Sequence, residues 1–323
     1  MPRLSLLLAL LLSATLLSSG VLRLDPTEGP PVTSHPHHSV GQGTNLKLVT
    51  WNIAELGRSK SDAEIELMAS VLRGYDVIAV QEVVGKDPAG AEAVARLAAA
   101  LDRRGADYDY RVSDPTRSSS GSVSERYAFL WRTATVRLRG RPQLLRAYAK
   151  TVEREPYSAE FVWERANGDT GGGPPLASPF RLATFHARPR SRRPEREVAK
   201  LRRLPTDYAD APLVLLGDFN VVSRHSVFDP WRERGYELAL SGQATTLRRE
   251  LPDDGDAYYR EADNILVPTD RMRVLERGIL DVVSFCESIY AQAPGRWEGC
   301  TGGLDVARGL SDHAPVYVIV EGF

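Results

Sequence analysis

Short apolar runs that end on a polar residue recur along the whole chain. Each run has the length of a buried strand, and strands of one sheet can deliver the polar groups at their ends to a single edge. In the last run the order is reversed, because an acid and an imidazole precede the apolar residues 316–320. The polar positions are Asn52, Glu82, His186, Asp218, Asn220, Asp312 and His313. The pattern predicts a buried sheet with titratable groups along one edge.

The spacing of apolar positions predicts helices between the first strands. A strand at 46–52, a helix at about 61–73, a strand at 76–82 and a helix at about 89–104 alternate along the sequence. Ser61 stands at the N-cap position of the first helix, and acidic residues follow in its opening turns. Both helices have a single apolar face, so we expect them to cover a sheet.

Strands dominate the rest of the sequence. A segment rich in Gly and Pro at 167–175 predicts a hairpin connection, and another helix is expected near 195–204. The remaining strands are predicted at 108–112, 125–131, 134–139, 158–164, 180–187, 213–216, 264–267, 280–285 and 315–320. The order indicates an α+β protein with mixed sheets and external helices.

Composition fits a soluble globular protein. The chain has 323 residues, of which 42% are hydrophobic and 26% charged, a length suited to one large domain or two small ones. One domain is preferred, because the polar positions are spread over the chain and no internal repeat is visible. The net charge of −1 excludes attraction of a polyanion by the total field. Locally, five arginines in 188–196 could meet phosphates or form a solvated loop.

The N-terminal segment has the pattern of an export signal. An apolar stretch at 4–17 follows Arg3 and precedes small residues, so residues 1–24 are predicted to be a signal peptide. No Ala-x-Ala triplet marks a cleavage point, which leaves an uncleaved membrane anchor as the alternative. Residues 25–45 are predicted to be a flexible linker. Both alternatives place the protein outside the cytoplasm, as a secreted or periplasmic protein. In that setting Cys286 and Cys300, the only cysteines, are expected to form a disulfide.

The ordered motifs resemble the endonuclease/exonuclease/phosphatase superfamily, and within it the deoxyribonuclease I branch. The motifs are Val-Thr-Trp-Asn at 49–52, Val-Ile-Ala-Val-Gln-Glu at 77–82, Ala-Thr-Phe-His-Ala at 183–187, Leu-Leu-Gly-Asp-Phe-Asn at 215–220 and Ser-Asp-His-Ala-Pro-Val at 311–316. Segments 124–132 and 154–156 resemble that branch in particular. The resemblance implies a four-layer α/β/β/α sandwich of two mixed β-sheets flanked by helices, in one catalytic domain over 46–323.

The resemblance also implies how a metal and an attacking water would be held. Asn52 and Glu82 would bind a divalent cation, and Asp312 would complete the shell of the metal or of the phosphate. Such oxygen ligands suit magnesium, manganese or calcium better than zinc, and magnesium is the expected cofactor. Asp218 would orient or deprotonate the water, and Asn220 would hold a phosphate oxygen. Because Asp218 and Asn220 are two residues apart in a strand, their side chains should project from one side.

The family pattern pairs each histidine with a carboxylate. His186 is paired with Glu125 and His313 with Asp263, which would favour the protonated rings that stabilise a charged transition state or protonate the leaving oxygen. A single histidine in an apolar strand is otherwise usually a hydrogen-bonded core residue. Arg154, in an Arg-Glu-Pro sequence, resembles the phosphate-binding arginine of the branch, and a surface salt bridge is the alternative.

The chain differs from the deoxyribonuclease I branch at the positions with which that branch contacts the groove of duplex DNA. Val84 and Val123 stand where the branch carries a groove-entering arginine and tyrosine, and Asn264 stands where it often has arginine. The leading hypothesis is a secreted or periplasmic, divalent-metal-dependent nuclease that hydrolyses phosphodiester bonds in DNA with weak sequence preference. It is expected to be a monomer without a protein partner, and to contact a membrane only if the N-terminal segment is uncleaved.

Two other functions fit parts of the sequence. The first is a phosphoesterase of the same fold that acts on a lipid head group or a small phosphorylated metabolite. The missing groove residues favour this alternative, whereas the arginines of 188–196 favour a polyanion. The second is a noncatalytic secreted binding module, which the presence of all the expected polar positions disfavours.

Overall fold

The computed structural model describes residues 45–85, 88–117, 124–165, 176–253 and 255–322. The strands are β1 (Leu46–Leu56), β2 (Val77–Val84), β3 (Tyr108–Val112), β4 (Glu125–Arg132), β5 (Val136–Leu144), β6 (Tyr157–Arg165), β7 (Leu176–His186), β8 (Leu213–Asp218), β9 (Tyr236–Leu238), β10 (Thr246–Leu247), β11 (Tyr258–Arg260), β12 (Asp263–Pro268), β13 (Met272–Ile279) and β14 (Val316–Gly322). The α-helices are α1 (Asp62–Leu72), α2 (Ala89–Asp102), α3 (Glu195–Val198), α4 (Leu204–Asp207), α5 (Asp229–Arg232), α6 (Val282–Gln292) and α7 (Gly303–Leu310).

Two six-stranded sheets form the centre of the fold. The first has the order β13-β14-β1-β2-β4-β3, and the second has the order β5-β6-β7-β8-β12-β9. Each sheet contains one parallel pair, β1 with β2 and β7 with β8, and its other neighbours are antiparallel. Both sheets are therefore mixed, as predicted. The strands β10 and β11 form a separate two-stranded ribbon.

Three buried apolar clusters separate four layers. The cluster between the sheets contains Leu48 of β1 and Leu216 of β8. On the outer face of the first sheet, α1, α2, α6 and α7 bury residues such as Met68 against the strands. On the outer face of the second sheet, the short helices bury residues such as Val198 and Trp231. Because each sheet is apolar on both faces, it needs a cover on both sides. The predicted α+β four-layer sandwich is confirmed.

The structure corrects two of the predicted elements. The strand expected at 280–285 is the beginning of α6, whose N-cap is Asp281: this side chain accepts a hydrogen bond from the backbone N–H of Ser284 at 3.1 Å. A short apolar run does not distinguish a strand from a buried helix, and here the cap decides. The single helix expected near 195–204 is divided into α3, a 3-10 segment and α4, which carries Pro205 in its first turn.

The two cysteines are free thiols, so the predicted disulfide is not present. Cys286 is fully buried on the inner face of α6, where it packs as a small apolar core residue, and Cys300 is partly exposed. None of the helices that the structure describes is long and apolar enough to cross a membrane. The predicted signal peptide at 1–24, the linker up to residue 44, Val123 and the predicted hairpin connection at 167–175 lie outside the described residues.

Candidate active site

The side-chain rows that face the space between the sheets end at one edge of the sandwich. On β8, Leu216 packs between the sheets and Asp218, two residues later, lies at the edge; on β4, Tyr127 and Glu125 have the same relation. Since strand side chains alternate with a period of two, every inward row ends on the same side. The polar side chains brought together in this way are Asn52, Glu125, His186, Asp218 and Asp263.

Glu82 reaches the same edge through an irregularity in β2. The register of β2 against β4 shifts between Val80 and Val83, and Glu82 has a positive φ of 58°. A bulge of this kind re-aims a side chain, and a left-handed backbone at a residue other than glycine marks local strain held by its surroundings. The result is a contact of 3.0 Å between Asn52 Nδ2 and Glu82 Oε1.

Asp218 and Asn220 interact directly across Phe219. The backbone N–H and the Nδ2 of Asn220 donate to the carboxylate of Asp218 at 2.8 and 3.0 Å, while Phe219 is buried in the outer cluster of the second sheet. Gly217 has a φ of 134°, and a β-carbon on it would lie 2.1 Å from the carbonyl oxygen of Phe185. Only glycine fits where β8 passes so close to β7.

His186 is held by a buried carboxylate and an arginine. Its Nδ1 lies 3.0 Å from both oxygens of Glu125, and Glu125 also forms an ion pair at 3.0 Å with Nε of Arg154. Burial lowers the pKa of His186, but the charge and hydrogen bond of Glu125 outweigh it and raise the pKa to about 9. The ring is therefore protonated at neutral pH, and its Nε2–H points away from Glu125.

His313 has an equivalent arrangement on the other side of the site. Its Nδ1 lies 2.7 Å from Oδ2 of Asp263, which also accepts a hydrogen bond of 2.6 Å from the hydroxyl of Thr245. Burial opposes the charged ring, but Asp263 outweighs it and the pKa of His313 is raised to about 10. The structure thus forms both of the histidine–carboxylate pairs expected from the resemblance.

The two histidines and Asn52 converge on Asp218. Oδ2 of Asp218 lies 3.2 Å from Nδ2 of Asn52, 3.4 Å from Nε2 of His186 and 3.9 Å from Nε2 of His313. Burial and the negative charge of Asp263 raise the pKa of Asp218, although both histidines act in the opposite direction. A buried carboxylate with raised proton affinity between two imidazolium donors can accept a proton from water.

The donor set of the site fits a divalent cation. The amide nitrogen of Asn52 faces the carboxylates of Glu82 and Asp218, while its buried Oδ1 has no hydrogen-bond partner among the described residues. Exchange of the two amide ends would bring this oxygen beside Glu82, as a hard cation requires. Asp218, Asp263 and His313 also offer ligand atoms that all lie within 4.8 Å of one another.

Two of the predicted site residues have surroundings that the sequence did not show. Arg154 is buried, and besides Glu125 its Nη1 lies 3.5 Å from the carbonyl oxygen of Ala187. Asp312 is exposed, and no hydrogen bond or ion pair within the described ranges joins its carboxylate to Asn52 or Glu82. The backbone carbonyl of Asp312 instead accepts from the N–H of Leu247 at 2.8 Å. The roles of Arg154 and Asp312 stay predictions.

Sequence reasoning missed the residues that hold the site together. The hydroxyl of Ser311 donates to the carbonyl of Asn52 at 2.6 Å and accepts from the N–H of His313 at 3.1 Å, so it fixes the two strand ends to each other. The hydroxyl of Tyr127 accepts from the N–H of His186 at 3.2 Å. Ser311 belongs to the Ser-Asp-His sequence, and Tyr127 belongs to segment 124–132, which resembles the deoxyribonuclease I branch. Both were therefore part of recognisable motifs, but the motifs gave neither residue a role.

The arginines of 188–196 are partly neutralised by the protein itself. Nη2 of Arg188 lies 2.7 Å from Oε1 of the buried Glu197, and Nη2 of Arg192 lies 2.9 Å from Oε2 of the buried Glu153. Two of the five positive charges in this loop are therefore paired with carboxylates. The segment is less strongly basic than its sequence suggests.

Comparison with known proteins gives one family and several similar folds. Residues 49–313 match the Endonuclease/Exonuclease/phosphatase family. A protein of Thioalkalivibrio sp. (strain K90mix) named deoxyribonuclease is 32% identical over 292 residues, which cover 86% of this chain and 72% of that protein.

Among solved structures, a family protein from Bacteroides thetaiotaomicron is similar with a TM-score of 0.55 at 15% identity, over 85% of this chain and 97% of that one. A mannosyl-6-phosphatase from the same species is similar with a TM-score of 0.52 at 16% identity, over 85% of this chain and 99% of that one. At this level of identity the two solved structures support the fold alone.

Proposed function

The chain belongs to the endonuclease/exonuclease/phosphatase family, and on that basis we propose that it is a divalent-metal-dependent nuclease that hydrolyses phosphodiester bonds in DNA with weak sequence preference. One observation carries the proposal: two histidines, each fixed by its own carboxylate, aim Nε2 at the buried Asp218. The similarity to a protein named deoxyribonuclease supports DNA as the substrate.

In the proposed reaction the residues of the chain divide the proton transfers between them. Asp218 takes the proton of the attacking water, which needs a base close to the position where the nucleophile forms. His186 and His313 donate from Nε2 to the oxygens of the phosphate, where negative charge grows in the transition state, and one of them protonates the leaving oxygen. Asn220, held by Asp218, offers an amide to a phosphate oxygen.

Asn52 and Glu82 would hold the cation, which we propose to be magnesium, with manganese or calcium as substitutes. When bound, such an ion neutralises phosphate charge and polarises the phosphorus–oxygen bonds. The buried oxygen of Asn52, which has no partner among the described residues, supports this assignment.

A phosphoesterase acting on a lipid head group or a small phosphorylated metabolite is the second candidate. Its support is Val84, which stands at the end of β2 where the deoxyribonuclease I branch carries a groove-entering arginine. A noncatalytic binding module is disfavoured, because contacts in the described site join Asn52, Glu82, His186 and His313 to one another through Asp218 and Asn52. From the N-terminal sequence we propose further a secreted or periplasmic location, and a monomer stays the default expectation.

Cleavage of supercoiled plasmid is the direct test of the proposed function. The protein should nick the plasmid with magnesium or manganese, lose this activity with excess chelator, and regain it when the metal is restored. The His313→Ala variant serves as the control against a contaminating nuclease. Folded protein that leaves plasmid intact but hydrolyses a small phosphodiester would favour the second candidate, and activity that survives exhaustive chelation would remove the metal from the proposal.

A further inference from the structure

A second cleft, polar and partly aromatic, lies beside the site. It has a volume of about 560 Å³ and is lined by residues 247–252, Tyr259, Arg308 and Asp312. None of the proton-transfer groups described above lines it. The cleft is formed by the ribbon of β10 and β11, by the loop between these two strands and by the end of α7.

The cleft is joined to the site by backbone pairing. Thr246 of β10 forms a bridge with His313, the N–H of Leu247 donates to the carbonyl of Asp312 at 2.8 Å, and the N–H of Ala314 donates to the carbonyl of Thr245 at 2.7 Å. The hydroxyl of Thr245 in turn binds Asp263. If the scissile phosphate of a substrate strand lies at His313, the neighbouring nucleotide of that strand therefore lies beside the ribbon of β10 and β11.

The cleft contains most of the exposed large apolar side chains of the described chain. Leu251 is 53% exposed and Tyr259 is 46% exposed, while Leu275 lies on another strand. The guanidinium carbons of Arg260 and Arg248 lie 4.8 and 5.5 Å from the centre of the Tyr259 ring. Both guanidinium groups lie over the Tyr259 ring as cation–π partners, and the part of the ring that stays exposed is a surface on which another flat group can stack.

The charges of the cleft favour an anion. Arg248, Arg249 and Arg308 line it with Glu250 and Asp312, which gives three positive charges against two negative ones, and Arg260 adds a further positive charge at the ring. Within the described residues none of these arginines forms an ion pair with a carboxylate, in contrast to Arg188 and Arg192. Arg308 and Arg248 each donate to a backbone carbonyl oxygen at 3.0 Å, and such neutral acceptors leave the positive charge in place for an anionic ligand.

We infer that this cleft binds an unpaired nucleotide of the substrate strand, next to the phosphate that is cleaved, with its base stacked on Tyr259 and its phosphates held by the arginines. The inference rests on the proposed nuclease function and narrows it: the preferred substrate is single-stranded DNA or an unpaired stretch of a duplex. In a duplex the faces of the bases are covered by their neighbours, so a protein ring can stack only on a base that is free.

Binding is tested with a fluorescent oligothymidine of about 16 nucleotides, which is the upper end of the site sizes known for single-strand-binding domains. Anisotropy is measured with chelator present, so that no cleavage occurs. We expect the wild-type protein to bind the single strand more tightly than the matching duplex, and Tyr259→Ala to weaken single-strand binding about tenfold or more. Tyr259→Phe keeps the ring and should bind as the wild type does, and Leu275→Ala, an exposed apolar control, should have no effect.

The role of the arginines is tested through salt dependence. Arg249→Gln should lower the slope of log affinity against log salt by about one, since one phosphate contact is lost. The matched control is Arg271→Gln, because Arg271 is exposed and follows Pro268 at the end of β12 that is remote from Asp263. The control should leave the slope unchanged.

Activity on a small aryl phosphodiester separates the inference from the proposed function. Tyr259→Ala should hydrolyse this ester at the wild-type rate, because the ester does not extend to the cleft, and should cleave the oligonucleotide with a raised KM. A Tyr259→Ala protein that binds and cleaves single strands like the wild type, or a wild-type protein that prefers the duplex, overturns the inference and leaves the nuclease proposal standing. Binding of the single strand through Tyr259 without cleavage overturns the nuclease proposal and leaves the binding site standing.

Discussion

Each histidine of the site shares its carboxylate with a second polar partner. Glu125 is bound by Arg154 as well as by His186, and Asp263 is bound by Thr245 as well as by His313. An orphaned buried carboxylate would be strongly destabilising, but removal of either histidine leaves a partner in place. The chemistry of the two rings can therefore be tested without loss of the fold.

At the scale of single residues, His313→Ala should lower turnover about 100- to 10,000-fold, the usual contribution of a positioned acid or base. Its melting temperature should stay within a few degrees of the wild type. The matched control is His225→Ala, because the His225 side chain caps a 3-10 turn by accepting from the N–H of Val227, has no hydrogen bond to a site residue in the described ranges, and should keep full activity. Plasmid nicking rates and thermal melts measure both quantities. A His313→Ala protein that unfolds would show that the ring is needed mainly for the core.

The sequence revealed the reactive ends of the strands but not their partners. Asn52, His186 and Asp218 end apolar runs, and that pattern alone placed them at one edge. Glu125 is 61 residues from His186 in the chain, and Asp263 is 50 residues from His313. Only the resemblance to the family suggested these pairs, because strand order and register are not written in local periodicity.

At the scale of elements, α6 depends on its first residues. The carboxylate of Asp281 accepts from the N–H and hydroxyl of Ser284 at 3.1 and 2.6 Å and from the hydroxyl of Tyr258 at 2.9 Å. Burial raises the pKa of this carboxyl, but the hydrogen bonds from Ser284 and Tyr258 outweigh it and hold the pKa below the ordinary 3.8. The cap thus ties α6 to β11.

Asp281→Ala should lower the free energy of unfolding by about 1 kcal/mol, the usual loss for an N-cap. The charged part of this contribution has a defined pH dependence. Because the folded pKa lies below the unfolded one, the stabilisation is present above about pH 4 and is lost as the pH falls through the folded value. Denaturant unfolding of the wild type and Asp281→Asn should converge toward acid pH. A constant difference would show that the carboxylate charge does not contribute.

The elements that sequence reasoning assigned wrongly are short or bounded by capping residues. The run at 280–285 contains Val282, Val283 and Phe285, which suit a strand as well as a buried helix, and only Asp281 with Ser284 marks a helix start. Long amphipathic helices were easier, since α1 and α2 each keep one buried face over three turns or more. Their bounds agree with the prediction to within a few residues, as is usual for helix ends.

At the scale of the whole molecule, both sheets depend on one shared core. Leu216 from the second sheet and Val318 from the first pack in the same cluster and are fully buried. The apolar inner face of each sheet is buried only by the other sheet. We therefore expect one cooperative unfolding transition. The strand order also favours cooperative unfolding, because β14 lies between β13 and β1 and so pairs the last described strand with the first.

Leu216→Ala should therefore lower the free energy of unfolding by about 2 to 5 kcal/mol. Tryptophan fluorescence and far-UV circular dichroism should report the same shifted midpoint. Leu275→Ala is the control, because an exposed leucine should change stability by about 0.5 kcal/mol or less. Two separate transitions in the Leu216→Ala protein would show that the sheets unfold independently.

The fold class was predictable from periodicity, but the arrangement of the strands was not. Alternation predicted strands near β4, β6 and β7, and the resemblance supplied the four layers. That β14 pairs with β1 depends on contacts between residues far apart in the sequence, such as Leu46 with Val320. Such pairs leave no local signal, which is also why the ribbon of β10 and β11 was missed.

The pairing of Leu46 with Val320 has a practical consequence for how the enzyme is attached to anything else. The start of β1 and the end of β14 lie side by side at one pole of the sandwich, and Asn52 and His313 lie at the opposite pole. A bead, dye or carrier protein joined just before β1 or just after β14 would leave the reactive face turned to the solution. Immobilised protein should therefore keep its access to long polymers.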